Sequence, residues 1–184
     1  MKHLIFVLSF CATPLFADCP AVTDHSSEME RLFEQARAAP NDMAGRGISD
    51  KMWQIWLQAP DEAAQATLDR GMRQREVSDF VGALDEFSRL VAYCPHYAEG
   101  FNQRAFIHFL RKDYANALSD LDQALALSPF HVGARSGRAL SLMSLGRIRE
   151  AREDLLLALE NNPWLSERFL MSQGGPLALP GKDI

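Results

Sequence analysis

A single repeat period governs the middle of this chain. Stacking residues 64–97, 98–131 and 132–165 as three lines of equal length brings small residues into register at Gly71, Ala105 and Ala139, and again at Ala83, Ala117 and Ala151. Bulky residues align at Phe87, Leu121 and Leu155, and also at Phe80, Tyr114 and Ile148. Prolines align at Pro95, Pro129 and Pro163. Several columns agreeing at one spacing mark a stack of identical supersecondary units. Each column has a physical reason. Two helices that cross closely need a side chain no larger than Ala at the contact, and the bulky columns fill the space beside it. The turns carry Ser78-Asp79, Lys112-Asp113 and Gly146-Arg147; Asp caps a second helix and Gly ends a first. Proline closes each unit because it cannot continue a helix interior.

These columns resemble the tetratricopeptide repeat, a helix-turn-helix unit of about 34 residues. Residues 98–131 match best, through Ala105, Ala117, Leu121, Ala124 and Pro129, and 132–165 match through Ala139, Ala151, Leu155, Ala158 and Pro163. The first unit departs at Leu90, where the family has Ala. The resemblance implies an all-α, right-handed solenoid of antiparallel helix hairpins. Its three units are 64–97, 98–131 and 132–165.

Arg70, Arg104 and Arg138 also repeat, as do Glu86, Asp120 and Asp154. Position 7 of one helix and position 23 of the next face each other in a hairpin. The spacing therefore predicts three Arg–carboxylate pairs holding the helices in register. Exposed pairs of this kind contribute at most about 1 kcal/mol each. An anion-binding row of arginines is the functional alternative.

The flanks lack this register. Residues 25–38 place Met29, Leu32, Phe33 and Ala36 on one stripe, with Ser26 or Ser27 as the expected cap. Residues 43–58 carry Met52, Trp53, Ile55 and Trp56, ahead of Pro60. Segment 18–63 therefore reads as an atypical N-terminal capping helix pair, which repeat stacks need because their end faces are apolar. The tryptophans read as core rather than as a ligand platform. Segment 166–184 reads as a capping helix, begun at Trp164 and reaching Met171, and a loose tail.

Segment 1–17 reads as an address. Lys2 precedes an apolar run from Leu4 to Ala12, and Ala17 offers a small residue for cleavage. Export to a periplasmic or secreted location follows as an expectation, with cleavage after Ala17. Losing this segment removes Lys2 and no acid, so the formal charge moves from −5 to −6. No later run approaches the length of a membrane-spanning helix. Cys11 leaves with the leader, and the remaining pair, Cys19 and Cys94, suggests one disulfide in an oxidising compartment. Closing that loop of about 75 residues contributes roughly 4 kcal/mol in the chain-entropy model.

Composition narrows function by exclusion. The acidic balance argues against a broad nucleic-acid surface. No HExxH, GxSxG, P-loop or GxGxxG motif is present. The histidines lack metal-ligand spacing on one helix; His96 and His131, at adjacent unit ends, leave only a weak surface metal site open. His108 reads as a packed residue between helices. The expectation is no enzyme, no cofactor and no metal. By resemblance, the first helix of each unit lines a concave groove. It would present Gln65, Leu68, Met72, Arg75 and Glu76, then Glu99, Asn102, Phe106, Phe109 and Leu110, then Gly133, Ser136, Leu140, Met143 and Ser144. An apolar, aromatic centre of this kind suits a peptide or helix from a protein partner in the cell envelope. Met72 and Met143 add adaptability. No Lys stands among these positions, so a carboxylate clamp built on Arg75 and Asn102 is doubtful. The groove is either open or covered, by neighbouring helices or the tail. The alternatives to an interaction module are a chaperone or assembly factor for exported chains and a self-assembling structural protein.

Overall fold

The computed structural model describes residues 18–179. The leader and its expected cleavage point lie outside the described residues, as do residues 180–184. Among the described residues are α1 (Ser26–Ala38), α2 (Asp42–Trp56), α3 (Glu62–Glu76), α4 (Phe80–Tyr93), α5 (Ala98–Leu110), α6 (Tyr114–Leu127), α7 (Val132–Ser144) and α8 (Ile148–Asn161). A 3₁₀ helix, Ser166–Met171, follows. The helices pack as consecutive antiparallel hairpins, with α3–α4, α5–α6 and α7–α8 forming the three repeat units.

Within the units the small columns sit at the crossings. Ala83, Ala105, Ala117 and Ala151 are fully buried, and Ala139 nearly so. The first unit shows why its small residue is Gly. A Cβ on Gly71 would stand 2.5 Å from the Phe87 ring, whereas the later units pair Ala with the smaller Leu121 and Leu155. The intra-unit turns share one backbone solution: Ser78 (φ 62°), Lys112 (φ 61°) and Gly146 (φ 76°) all adopt the left-handed conformation. Asp79 and Asp113 then cap the next helix by accepting the N–H of Gly82 and Asn116. Arg147 does not cap; it pairs with Glu150.

The repeating ion pairs form between the helices of each unit. Arg104 binds Asp120 through two bonds of 2.8 and 2.6 Å, and Arg138 binds Asp154 at 2.7 and 2.8 Å. Arg70 reaches only Oε2 of Glu86, at 3.1 and 3.0 Å. The hydrogen bonds to Asp120 and Asp154 raise the Arg104 and Arg138 pKa values, against the opposing effect of partial burial. Each of the three arginines thus has its own carboxylate.

The N-terminal hairpin lies elsewhere than on the first unit's end face. Met29, Leu32, Phe33, Ala36, Met52 and Ile55 share one core with Val132, Ala158 and Leu165 of the third unit, with Trp164 packed beside it. Neither serine caps α1: His25 is the N-cap, without a side-chain bond, and Asp24 accepts the Ser26 N–H. Asn41 caps α2, which ends at Trp56, before Pro60 is reached. The C-terminal segment also differs from expectation. It is 3₁₀ rather than α, and through Ala178 it is not loose. Leu177 is fully buried with Leu170 and Met171 against α7 and α8. Arg152 fixes it by donating to the Leu177 and Ala178 carbonyls. No helix among the described residues is long and apolar enough to cross a membrane.

Candidate functional site

The hairpin α1–α2 runs as a strap along the edge where the inter-unit turns emerge. Cys19, ahead of α1, is disulfide-bonded to Cys94 at the first turn. Helix α1 then travels to the third unit, where the Ala36 carbonyl accepts from Trp164 Nε1 at 2.8 Å. Helix α2 returns. Asp42 meets Arg168 at 2.7 Å and Ser49 accepts from Asn162 at 2.8 Å. Farther along, the Trp56 ring stacks on His131 at 4.1 Å, and the Trp56 carbonyl accepts the Tyr97 hydroxyl at 2.6 Å.

These anchors occupy two further columns of the repeat. Tyr97, His131 and Leu165 are each one period apart and all buried; Cys94 and Asn162, two periods apart, are both 1% exposed. Neither column is visible as such in the sequence, because its members share burial and not chemistry. The available signal is position alone: a large side chain two residues after each unit-ending proline. Burial, with the Glu99 carboxylate second, holds the Tyr97 hydroxyl well above its ordinary pKa, so it remains a donor.

Beneath the strap lies a polar network. The Glu99 carboxylate, 1% exposed, accepts from His131 Nε2 (2.8 Å), Asn102 (3.1 Å) and Gln103 (2.5 Å). His131 Nδ1 accepts the Ala134 N–H at 3.1 Å, so its proton sits on Nε2 and is donated to Glu99. His131 is thus the N-cap of α7 and fully buried, which removes it from any surface metal site with His96. His108 lies between helices, 3.2 Å from Asp113. The Glu99–His131 pair is sealed from solvent.

The concave face is partly filled. A cavity of about 320 Å³ remains, lined by Met72, Arg75, Asn102, Phe106, Phe109 and Leu140 from the repeats. Trp53 and Leu57 from the strap and Glu167 from the 3₁₀ helix close it. Gly133 and Ser136 line it as well. Seven of the fifteen expected groove positions are outside this lining: Gln65, Leu68, Glu76, Glu99, Leu110, Met143 and Ser144. Leu68 is fully buried in the first unit's core, Met143 packs on the core that contains Leu170 and Met171, and Leu110 is not in the lining. Resemblance alone put Leu68 in the groove; here that helix face packs inward among Ala83, Phe87 and Leu90. The cavity walls are mostly apolar, with Arg75 at one side, its guanidinium 5.4 Å above the Phe106 ring and donating to Gln103. Phe106 is 44% exposed and Trp53 half-buried, so the cavity has an open mouth. Among the described residues, no three His, Cys, Asp or Glu side chains are grouped to hold a metal.

Helical hairpins in one repeating register, with small residues at every crossing, define a helical-repeat architecture, and the fold is that of a tetratricopeptide-repeat protein. No family model matches the chain. A TPR repeat-containing protein of Rhizobium etli is 25% identical over 154 residues, covering 79% of this chain and 76% of that one. A tetratricopeptide repeat protein 36 homolog of Nematostella vectensis is 41% identical over 70 residues, 38% of either chain. Among solved structures, the first TPR of Spaghetti (RPAP3) bound to HSP90 peptide SRMEEVD superposes with a TM-score of 0.56 at 25% identity. It covers 58% of this chain and 84% of its own. The crystal structure of MamA, at 16% identity and a TM-score of 0.51, covers 73% and 77% and shares the fold.

Proposed function

We propose that this chain is an exported, non-enzymatic interaction module that takes one bulky apolar anchor of an envelope protein into the concave cavity. The observation that carries the reading is the cavity of about 320 Å³ at the centre of the concave face, with the Phe106 ring at its mouth. That volume is at the small end of ligand sites, the scale of a side chain and its flanks. The Spaghetti domain, solved with a peptide bound, supports the use of this face.

The anchor's chemistry follows from the walls. Arg75 is committed to Gln103 and Asn102 to Glu99, and the Glu167 carboxylate adds negative charge at the rim. An apolar, neutral or basic segment fits this lining better than an acidic C-terminus. Export is supported by the leader-like pattern of segment 1–17 and by the Cys19–Cys94 bond, of a kind that persists in oxidising compartments.

A peptide array drawn from envelope proteins tests the reading, probed with the oxidised chain and with Phe106→Glu. The expected result is a set of spots sharing one apolar anchor, retained by the wild type and lost by a variant whose circular dichroism is unchanged. Capture that survives the substitution overturns it. Many weak spots with no common anchor would favour the chaperone reading instead.

A further inference from the structure

The strap is seated by shape. A Cβ on Gly45 would overlap the Trp164 ring, and one on Gly133 would stand 2.5 Å from the Trp53 ring, so Gly133 is a notch that receives an indole. The strap's tip, from Ala36 to Ser49, is held on the third unit by Trp164, Arg168 and Asn162. Seated in this way, the strap leaves a groove of about 600 Å³ between α1 and the inter-unit turns. The groove starts beside His25 and His96 at the first turn, passes Phe130 at the second and reaches Asn161 at the end of α8. It shares no lining residue with the concave cavity. Buried Met29, Phe33, Ile55 and Tyr97 form its floor. Its rim is apolar and open: Phe130 is 67% exposed, and Leu127 and Val22 39% each. Exposed apolar side chains gathered around one groove mark an interaction site. The charges on the α1 wall are divided between the two ends. Asp24 and Glu30 stand toward the Cys94 tether, and Arg37 stands at the third unit. Among the described residues Glu30 has no hydrogen-bond or ion-pair partner, and Arg37 donates only to the neutral Asn161 amide, at 3.4 Å.

We infer that this groove is a second binding site, for an extended peptide segment that turns a basic, an apolar and an acidic side chain toward α1 at alternate positions. The charge pattern selects the occupant. Glu30 stands about 10 Å from Arg37 along α1, and Asp24 lies farther out on the same side. The first and fifth residues of an extended strand are about 14 Å apart on one face, with the third between them. The basic residue therefore falls between Asp24 and Glu30, and the acidic residue meets Arg37. The apolar residue lies over Phe33, against the Phe130 ring. The two side chains between them point to solvent. A volume of about 600 Å³ is within the range of sites that hold a short peptide or a ligand of that size. The groove is already formed, so binding requires no displacement of the strap. The inference stands apart from the single anchor proposed for the concave cavity, because the two sites have no residue in common.

Fluorescence anisotropy on the oxidised full chain tests the inference. The probe is a labelled peptide, blocked at both ends, of lysine, serine, leucine, serine and glutamate in that order. A second probe carries lysine at both ends and should bind about fivefold more weakly, since one lysine then faces Arg37. Arg37→Glu should reverse that preference and favour the double-lysine probe by a similar factor, with circular dichroism unchanged. Phe130→Ser should abolish binding of either probe, whereas Phe106→Glu, which removes anchor capture in the concave cavity, should leave both affinities as they are. Should Arg37→Glu fold poorly, Glu30→Lys makes the complementary test with a probe carrying glutamate at both ends, which it should bind more tightly than the wild type does. No binding of the first probe by the wild type, equal affinity for the two probes, a preference that survives the charge reversal, or loss of binding in Phe106→Glu would each overturn the inference.

Discussion

The three repeat units and the strap are both pairs of helices, yet they are held by different kinds of contact. Each unit is stabilised by neighbours within its own hairpin and by the next unit. The Arg104–Asp120 pair spans 16 positions, and Ala117 packs with Leu121 and Ala105. The strap's tip depends on partners 113 to 128 positions away. Local contacts repeat and can be lost one unit at a time, whereas the strap has a single distant partner for each of its contacts. The strap is therefore the part of the molecule whose stability is separable from the stack.

Breaking the disulfide is the strongest challenge to that distinction. Cys19→Ser with Cys94→Ser should lower the unfolding free energy by up to about 4 kcal/mol, read from the denaturant midpoint. Hydrogen exchange should accelerate in α1 and α2 more than in α5 to α8. Uniform acceleration would show that strap and stack unfold as one unit.

The Gly71–Phe87 fit offers a smaller perturbation confined to the repeats. Gly71→Ala should cost about 1–3 kcal/mol, although Ala is the better helix former, because the new methyl meets the Phe87 ring. Phe87→Leu in the same chain should recover most of that cost, since Ala with Leu is the pairing of the later units. Two costs that merely add would show that the columns are independent.

Acid provides the mildest probe. The Arg168 hydrogen bond, with Arg46 adding, holds the Asp42 carboxyl below its ordinary pKa. A depressed folded value means this contact contributes above the ordinary Asp pKa, near 3.9, and is lost as pH falls through the folded value. Limited proteolysis within residues 38–50 should therefore increase between about pH 5 and pH 2, before the repeats yield. Because the Asp42 side chain keeps 33% of its surface in solvent, the effect is small. A tip as resistant at the low end as at the high end would remove Asp42 from the latch.

Much of the architecture is readable in the residues themselves. The repeating columns place every repeat helix, the turns and the crossings, because a close helix contact accepts only Gly or Ala and that restriction is printed directly in the chain. The disulfide partners can be named because only two cysteines follow the leader-like segment. The site is less legible. Met72, Arg75, Asn102, Phe106, Phe109 and Leu140 line the cavity together. The residues that close it, Trp53, Leu57 and Glu167, come from outside the repeats and carry no register to announce them. His131 has the sequence context of an exposed turn residue. Its burial depends on Trp56, far earlier in the chain, and on a Glu99 carboxylate one repeat away.

The sequence by itself determined the stack. Its period, its small columns, its turn residues and its Arg–carboxylate pairs are all short-range requirements, satisfied within a unit or between adjacent ones. Only the tertiary structure decided where the N-terminal hairpin lies, and with it the size of the remaining cavity and the burial of Tyr97, His131 and Leu165. An amphipathic helix states that one face must be covered. It does not state by what, since apolar surface is non-directional and several faces of a repeat stack offer equivalent burial. The choice was made by shape, through the notch at Gly133, the close approach of Gly45 to Trp164, and the tether at Cys94.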